Sequence, residues 1–332
     1  MDVAMWVRAL RVIPRIDKPA WDRLDLISKW LIASRGAVLV ITFISSGIAG
    51  LLAARAGRFD WLLWALVTIG LLLAHATNNL VNDLTDHRRG VDRDNYFRAQ
   101  YGPHPLEHGL MTTRQLITYA AATGALALAF GVALVAVRGG PTLALLLAGA
   151  FFVLFYTFPL KYVGLGELAV LLVWGPLMIG GGYFVITGIA DRDVVLAGLP
   201  YALGATTVIF GKHIDKITDD TAKRIRTLPV IIGERSARWL AIAMMAGQYV
   251  SLAYLVAIGF FGPIVLIVLL ALPTLRDAVK VYLRPRPVER PAAYPADAWP
   301  LWFVAYAFAH NRRFGLLFLV GLIADLAVHA LR

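Results

Sequence analysis

The chain has 332 residues, 59% of them hydrophobic and only 16% charged, with a mean hydropathy of +0.69. A soluble domain carries roughly 25% charged residues, so this chain lacks the polar side chains to coat a water-facing surface, and lipid must cover much of it. The formal charge is +11, and the absence of cysteine excludes disulfides, thiolate metal sites and a cysteine nucleophile.

In chain order, residues 1–35 carry charges throughout and no apolar h-region, so no cleavable signal peptide is expected there. Apolar positions at helical spacing among the charges of 17–35 predict a helix lying on the membrane surface. Crossing the hydrocarbon core takes about 20 mostly apolar residues. Nine such runs lie near 36–54, 61–82, 115–137, 141–158, 166–188, 194–213, 237–258, 262–283 and 314–331. Residues 284–298 are proline-rich and predict a linker. The aromatic-rich stretch 299–313, ending in Arg312 and Arg313, is expected at the membrane interface. The expected fold is therefore all-α: a polytopic membrane helix bundle of about nine transmembrane helices, with a cytoplasmic cap of loops and helices. Residues 1–35 form its cytoplasmic amphipathic N-terminal segment and 36–332 its transmembrane domain.

The basic residues set the orientation. With the N-terminus in the cytoplasm, 27 of the 32 Lys and Arg fall on that side, and only Arg55, Arg58, Arg138, Arg192 and Arg332 fall outside. This leaves the C-terminus outside. Because the excess charge is confined to segments between spans, it reads as topology, with the bilayer as partner and no nucleic acid. An integral protein of a prokaryotic plasma membrane is expected.

Acidic residues are few and unevenly placed, and two clusters stand out, one after the second span (Asp83, Asp86, Asp92, Asp94) and one after the sixth (Asp215, Asp219, Asp220). Both emerge on the cytoplasmic face. Asp83 and Asp86 are three apart and Asp215 and Asp219 four apart, so each pair shares a helical face. Two adjacent carboxylates repel unless a cation lies between them. An all-oxygen ligand set suits Mg²⁺, which binds one or two carboxylates plus substrate phosphates. Arg88, Arg89, Lys223, Arg224 and Arg226 stand close by in sequence to neutralise further phosphate charge. One such cluster alone reads as ordinary headgroup-anchoring helix ends. Two with matched spacing and sidedness, preceded in the first by paired asparagines, read as a diphosphate cradle.

At these residues the chain resembles the UbiA superfamily of intramembrane prenyltransferases, and within it the 1,4-dihydroxy-2-naphthoate polyprenyltransferases of menaquinone synthesis. Asn82-Asp83 through Asp86, Gly90 and Asp92 is similar to that family's NDxxDxxxGxD motif. Asp215-xxx-Asp219 is similar to its DxxxD, and Arg226-Thr227-Leu228-Pro229-Val230 to the segment that follows. Tyr156-Thr157-Phe158-Pro159-Leu160-Lys161 and Gly164 to Glu167 extend the likeness. The resemblance implies that Asn79, Asp83 and Asp86 hold one Mg²⁺ and Asp215 and Asp219 another, these four aspartates being the catalytic core. Asn79, Asn82, Arg88, Tyr156, Lys161, Lys223, Arg224 and Arg226 would bind substrate, and Asp92 is a weaker ligand beyond a glycine.

Three departures stand out. Gly102-Pro103 is followed by His104 where the family usually has an arginine soon after. Lys212-His213 occupies the place of an asparagine pair. Lys223-Arg224-Ile225-Arg226-Thr227 stands in place of Gly-Lys-Arg-Thr and reads as that segment with one residue inserted.

The implied activity is Mg²⁺-dependent transfer of a polyprenyl group from an isoprenyl diphosphate to an aromatic acceptor such as 1,4-dihydroxy-2-naphthoate. Within the same class, 4-hydroxybenzoate, another phenol, a phosphosugar or intramolecular cyclisation remain open. A transporter is the rival from another class, but transporters place their sites near the bilayer midplane, whereas these clusters lie at one face. Lesser features read as structural: His104 and His108 in a loop around Pro105, Gly180-Gly181-Gly182 as close helix packing, and Asp325 as a polar contact inside the last span. Glu167 fits equally a carboxylate at the positive end of the fifth span and a catalytic group.

Overall fold

The computed structural model describes residues 2–91, 102–296 and 298–330. Asp92 and Asp94 lie outside the described residues. Among these there is no strand, and the helices follow in order as α1 Val3–Arg11, α2 Lys18–Asp22, α3 Leu26–Ala33, α4 Val40–Arg55, α5 Trp61–Arg88, α6 Thr113–Arg138 and α7 Gly140–Phe155. Then come α8 Gly166–Thr187, α9 Arg192–Asp215, α10 Ile217–Ala222, α11 Leu228–Ile232, α12 Glu234–Ala257, α13 Leu272–Tyr282 and α14 Phe303–Ala330. A 3₁₀ stretch, Pro263–Ala271, leads into α13.

Each expected span coincides with a helical segment. Among the described residues, six helical stretches are long and apolar enough to cross a membrane: Gly36–Arg55, which contains α4, together with α5, α6, α8, α9 and α12. Helix α7 is apolar but only 16 residues long. Local chemistry explains where the long helices begin. The Asp60 side chain accepts the Leu63 N–H at the start of α5, Thr112 and Gln115 form a reciprocal capping box at α6, and Asp191 caps α9. Midway along α8, residues Val173–Gly181 widen into a π-helix around Pro176, which has no N–H to give to the α-helical ladder.

Two expectations are corrected here. The surface helix expected over 17–35 is two helices, broken at 23–25, where Asp25 caps α3 through the Ser28 N–H. Its apolar face is not left to lipid alone: Trp21, Leu31 and Ile32 share a buried cluster with Leu80 of α5 and Leu116 of α6. The stretch 299–313 is more than a surface segment: from Phe303 on it is the start of α14, where Phe303, Ala307, His310 and Asn311 are buried, and this helix packs against α9 and α4.

The main core joins α4, α8, α9, α12 and α14 through Ile44, Ile48, Ile179, Tyr201, Leu252, Phe314 and Phe318. Of the six candidate spans, α9 is the most buried and α6 the least. The glycine run in α8 packs as expected. A Cβ at Gly180 or Gly181 would come within 2.7 Å of Val195 or 2.9 Å of Leu145. Asp325 accepts the Gly262 N–H at 2.9 Å and is ion-paired to Arg55 of α4, so this acid ties the last helix to its neighbours.

Candidate active site

Helix α5 carries the first acidic cluster on its inward face, and Asp83 and Asp86 are both buried there. Burying a carboxylate without a partner is costly, and each has one. Asp83 is ion-paired with Arg35, whose Nη2 also lies 3.3 Å from Asn82 Oδ1. Arg35 sits just past α3 with φ 59°, a left-handed turn that reverses the chain into α4. Asp86 receives Lys161 Nζ on both oxygens, at 2.8 and 2.9 Å. Asn82 Nδ2 lies 3.1 Å from both Asp86 Oδ2 and Thr157 Oγ1, and Asn79 Nδ2 donates to the Ser34 carbonyl at 2.9 Å.

Lys161 lies in the 3₁₀ turn Leu160–Val163, beyond the spans. Burial alone would pull its pKa down. The Asp86 charge and hydrogen bond, with Asp220 beyond, more than offset this, so its pKa is raised above that of an ordinary lysine. Lys161 therefore stays an ammonium at neutral pH.

The second cluster is arranged differently. Both oxygens of Asp215 accept backbone N–H groups at the start of α14, from Trp302 and Val304 on one oxygen and Phe303 on the other, at 3.0 to 3.1 Å. This carboxylate satisfies the otherwise unpaired amides of a helix N-terminus. Gly211 allows it, since a Cβ there would stand 2.7 Å from Val304 N. Asp219 is half-buried, whereas Asp220 is 3% exposed. Asp220 lies 3.7 Å from Lys216 Nζ, and its charge acts on both Lys161 and Tyr162. Of the expected pair, Asp215 is thus taken up by the α14 amides and Asp219 is half-buried on α10. The neighbouring acid Asp220 is the buried one.

Of the basic residues expected to bind substrate, only Lys161 is buried at the site. Arg88, Arg224 and Arg226 are exposed, and Lys223 donates to the Val91 carbonyl. Arg89 lies 3.5 Å over the Phe158 ring. Arg35 lines the cavity beside Asp83 instead, and Lys216 is buried beside Asp220. Sequence reasoning missed Arg35 because it is 48 positions from Asp83 and carries no local signal. Glu167 has a specific partner, His213 Nδ1 at 2.5 Å, and also accepts the Leu228 N–H at 3.3 Å, so it links α8, α9 and α11. His104 and His108 lie in a turn, as expected.

Above this polar cluster the bundle encloses a cavity of about 980 Å³. Its polar end is lined by Arg35, Asn79, Asn82, Tyr156 and Lys212, and its walls by apolar side chains of α5, α6, α7 and α8. Among the described residues no three His, Cys, Asp or Glu side chains converge as a metal site. The α5 pair nevertheless fits a hard divalent ion of the Mg²⁺ kind, since such ions take only one or two carboxylates and fill their shell with water and phosphate oxygens. The α9–α10 side fits less well, because Asp215 is committed to α14 and Asp220 to Lys216.

An all-helical membrane bundle whose apolar cavity opens onto buried, charge-paired carboxylates defines an enzyme embedded in the bilayer. Residues 43–304 match the UbiA prenyltransferase family, and the chain belongs to that family and is a prenyltransferase. It is 30% identical to 1,4-dihydroxy-2-naphthoate octaprenyltransferase of Escherichia coli K12, over 68% of this chain and 75% of that protein. Digeranylgeranylglyceryl phosphate synthase of Natronomonas pharaonis is 27% identical over 69% and 76%. The fold matches the apo structure of a UbiA homologue from Aeropyrum pernix K1 with a TM-score of 0.61 and 20% identity, over 86% of this chain and 97% of that one. A UbiA homologue from Archaeoglobus fulgidus bound to GPP and Mg²⁺ gives 0.58 and 17%, over 90% and 99%.

Proposed function

We propose that this prenyltransferase moves a polyprenyl group from an isoprenyl diphosphate to an aromatic acceptor of the 1,4-dihydroxy-2-naphthoate type, with Mg²⁺. The observation that carries this reading is the junction of a long apolar cavity with the Asp83–Arg35 and Asp86–Lys161 pairs. A prenyl tail matches the cavity walls and a diphosphate matches the charged end. Naphthoate octaprenyltransferases among the relatives, and GPP and Mg²⁺ in a structural neighbour, support the same substrates. The distribution of lysines and arginines supports an orientation with the site at the cytoplasmic face, and the membrane proposed for it is a prokaryotic plasma membrane.

Asp83 and Asp86, with the Asn79 and Asn82 amides beside them, would hold the ion, which supplies positive charge against the departing diphosphate. Arg35 and Lys161, released from or shared with their carboxylates, donate hydrogen bonds to the diphosphate oxygens. The allylic C–O bond breaks with its electron pair going to the leaving oxygen. Fixed cations preorganised around that oxygen stabilise the charge as it forms. The apolar walls keep water from the allylic cation. An electron-rich ring carbon then attacks, and the ring becomes aromatic again on losing a proton.

Mass spectrometry of purified protein in lipid tests this, with polyprenyl diphosphate, Mg²⁺ and a panel of acceptors headed by 1,4-dihydroxy-2-naphthoate. The expected result is a prenylated naphthoate product that disappears in Asp83→Asn. Product with 4-hydroxybenzoate, another phenol or a phosphosugar instead would replace the acceptor. Diphosphate release without an adduct would mean cyclisation or hydrolysis.

A further inference from the structure

The two acidic clusters are held differently. Helix α5 buries two carboxylates one turn apart, Asp83 beside Arg35 and Asp86 beside Lys161, whereas on the α9–α10 side Asp215 is taken up by the amides of α14 and Asp220 is buried beside Lys216. The difference lies in the backbone at Lys216, where φ −103° and ψ 10° interrupt the helix between Asp215 and Ile217. Before the break Asp215 accepts the amides at the start of α14, and after it Asp220 turns inward and is 3% exposed. Lys216 and Asp220 then face each other, their side chains only 9% and 4% exposed. Lys212, one turn earlier, lines the cavity.

A second observation gives the register of this segment. Arg224 has φ 56°, a left-handed conformation that favours glycine. Counting back from Arg226-Thr227, it occupies the place of the glycine in the Gly-Lys-Arg-Thr pattern that this segment resembles. No residue is then inserted, and DxxxD falls on Lys216-xxx-Asp220. A lysine stands where the pattern has its first carboxylate.

We propose that on this side of the site a fixed ammonium replaces a metal ion. Lys216, held by Asp220, presents its N–H donors to the diphosphate, and the protein binds a single divalent cation, on α5. This inference rests on the prenyl-diphosphate reading above. Its physical basis is charge. A carboxylate pair attracts no phosphate until a divalent ion reverses its sign, whereas a lysine beside one aspartate already supplies a positive, hydrogen-bonding group. Asp83 and Asp86 would then hold the one ion, and Lys216 would add a second positive contact to the diphosphate.

The test counts bound Mn²⁺ by electron paramagnetic resonance on the full-length protein in lipid nanodiscs, with geranyl thiolodiphosphate as unreactive probe. One Mn²⁺ per chain is expected, lost in Asp83→Asn. Lys216→Asp is expected to raise the count to two. Lys216→Met is expected to keep it at one and to weaken probe binding about tenfold, as loss of a charged hydrogen bond would. Two Mn²⁺ in the unmodified protein, or a Lys216→Met chain that binds the probe undiminished, would overturn the inference and leave the prenyl-diphosphate reading standing. No probe-dependent Mn²⁺ binding at all would overturn both.

Discussion

Lys161 Nζ lies 2.8 and 2.9 Å from the two oxygens of Asp86, and both side chains are more than nine-tenths buried. Removing one partner of such a pair leaves a buried charge uncompensated, at a cost of about 2–5 kcal/mol. Lys161→Met is therefore expected to lower kcat about 100-fold or more, and Lys161→Arg to retain more activity than Lys161→Met. Steady-state kinetics with saturating diphosphate measures this. Since the Lys161 pKa is raised, its contribution is fully present below the ordinary lysine pKa of about 10 and is lost only as pH rises through the higher folded value. The activity profile should show no titration of this group between about pH 6 and pH 9.

Asp215 separates a capping role from a metal-binding one. With both oxygens accepting N–H groups of α14, Asp215→Ala should destabilise the protein by about 2 kcal/mol, toward the upper end of what helix caps contribute. Thermal unfolding in detergent reads the loss as a lower Tm. The Mn²⁺ bound on α5 should stay. Loss of that ion with an unchanged Tm would return Asp215 to the metal site.

Much of this was legible in the sequence, for identifiable reasons. Hydropathy placed the spans because the bilayer imposes a length and a polarity on each. The inward face of α5 was legible because Asp83 and Asp86 obey helical spacing. What escaped depends on contacts between distant segments. Arg35 meets Asp83 only because α3 ends in a left-handed turn beside α5. That Asp220 rather than Asp219 is the buried acid of the second cluster could not be read from spacing, which assumes a continuous helix, whereas the backbone breaks at Lys216. Asp215 was expected at the metal because nothing local reveals that the first turn of α14, some 87 positions on, needs a cap.

The N-terminal helix is fastened by one carboxylate. Asp25 accepts N–H groups of Ser28 and Asp2 at 2.9 and 2.7 Å, and the indole of Trp6 at 3.0 Å. The Ser28 N–H, then those of Asp2 and Trp6, hold its carboxyl well below the ordinary carboxylate range. The ionised form is the one the latch holds. Its contribution is therefore present above the ordinary pKa of about 4 and is lost as pH falls below it. Asp25→Ala should release α1 at neutral pH, seen as faster tryptic cleavage after Arg8 and Arg11. Arg11 and Ile13 line the cavity, so the variant should also raise KM for the diphosphate. Unchanged cleavage would mean that the α1 packing, through Ala9, holds without the latch.

The cavity wall makes the last prediction. Gly149 of α7 lines the cavity, and a Cβ there would meet nothing within 4 Å. Gly175 of α8 differs, since its Cβ would stand 2.9 Å from Ala202 Cβ, in a helix contact. Gly149→Phe therefore adds a ring to open space, where only a ligand competes for it, while Gly175→Val presses two helices apart. Overpacking of the second kind costs about 1–3 kcal/mol and should lower Tm. The first kind should leave Tm in place and shorten the tail the cavity accepts. Turnover of a long polyprenyl diphosphate should fall about tenfold or more, as when about 1.4 kcal/mol of tail binding is lost. Turnover of geranyl diphosphate should persist, because a short tail ends before the obstruction. Competition between the two donors in one reaction, read by product mass, gives the ratio directly. An equal loss for both would place the tail elsewhere than along α7.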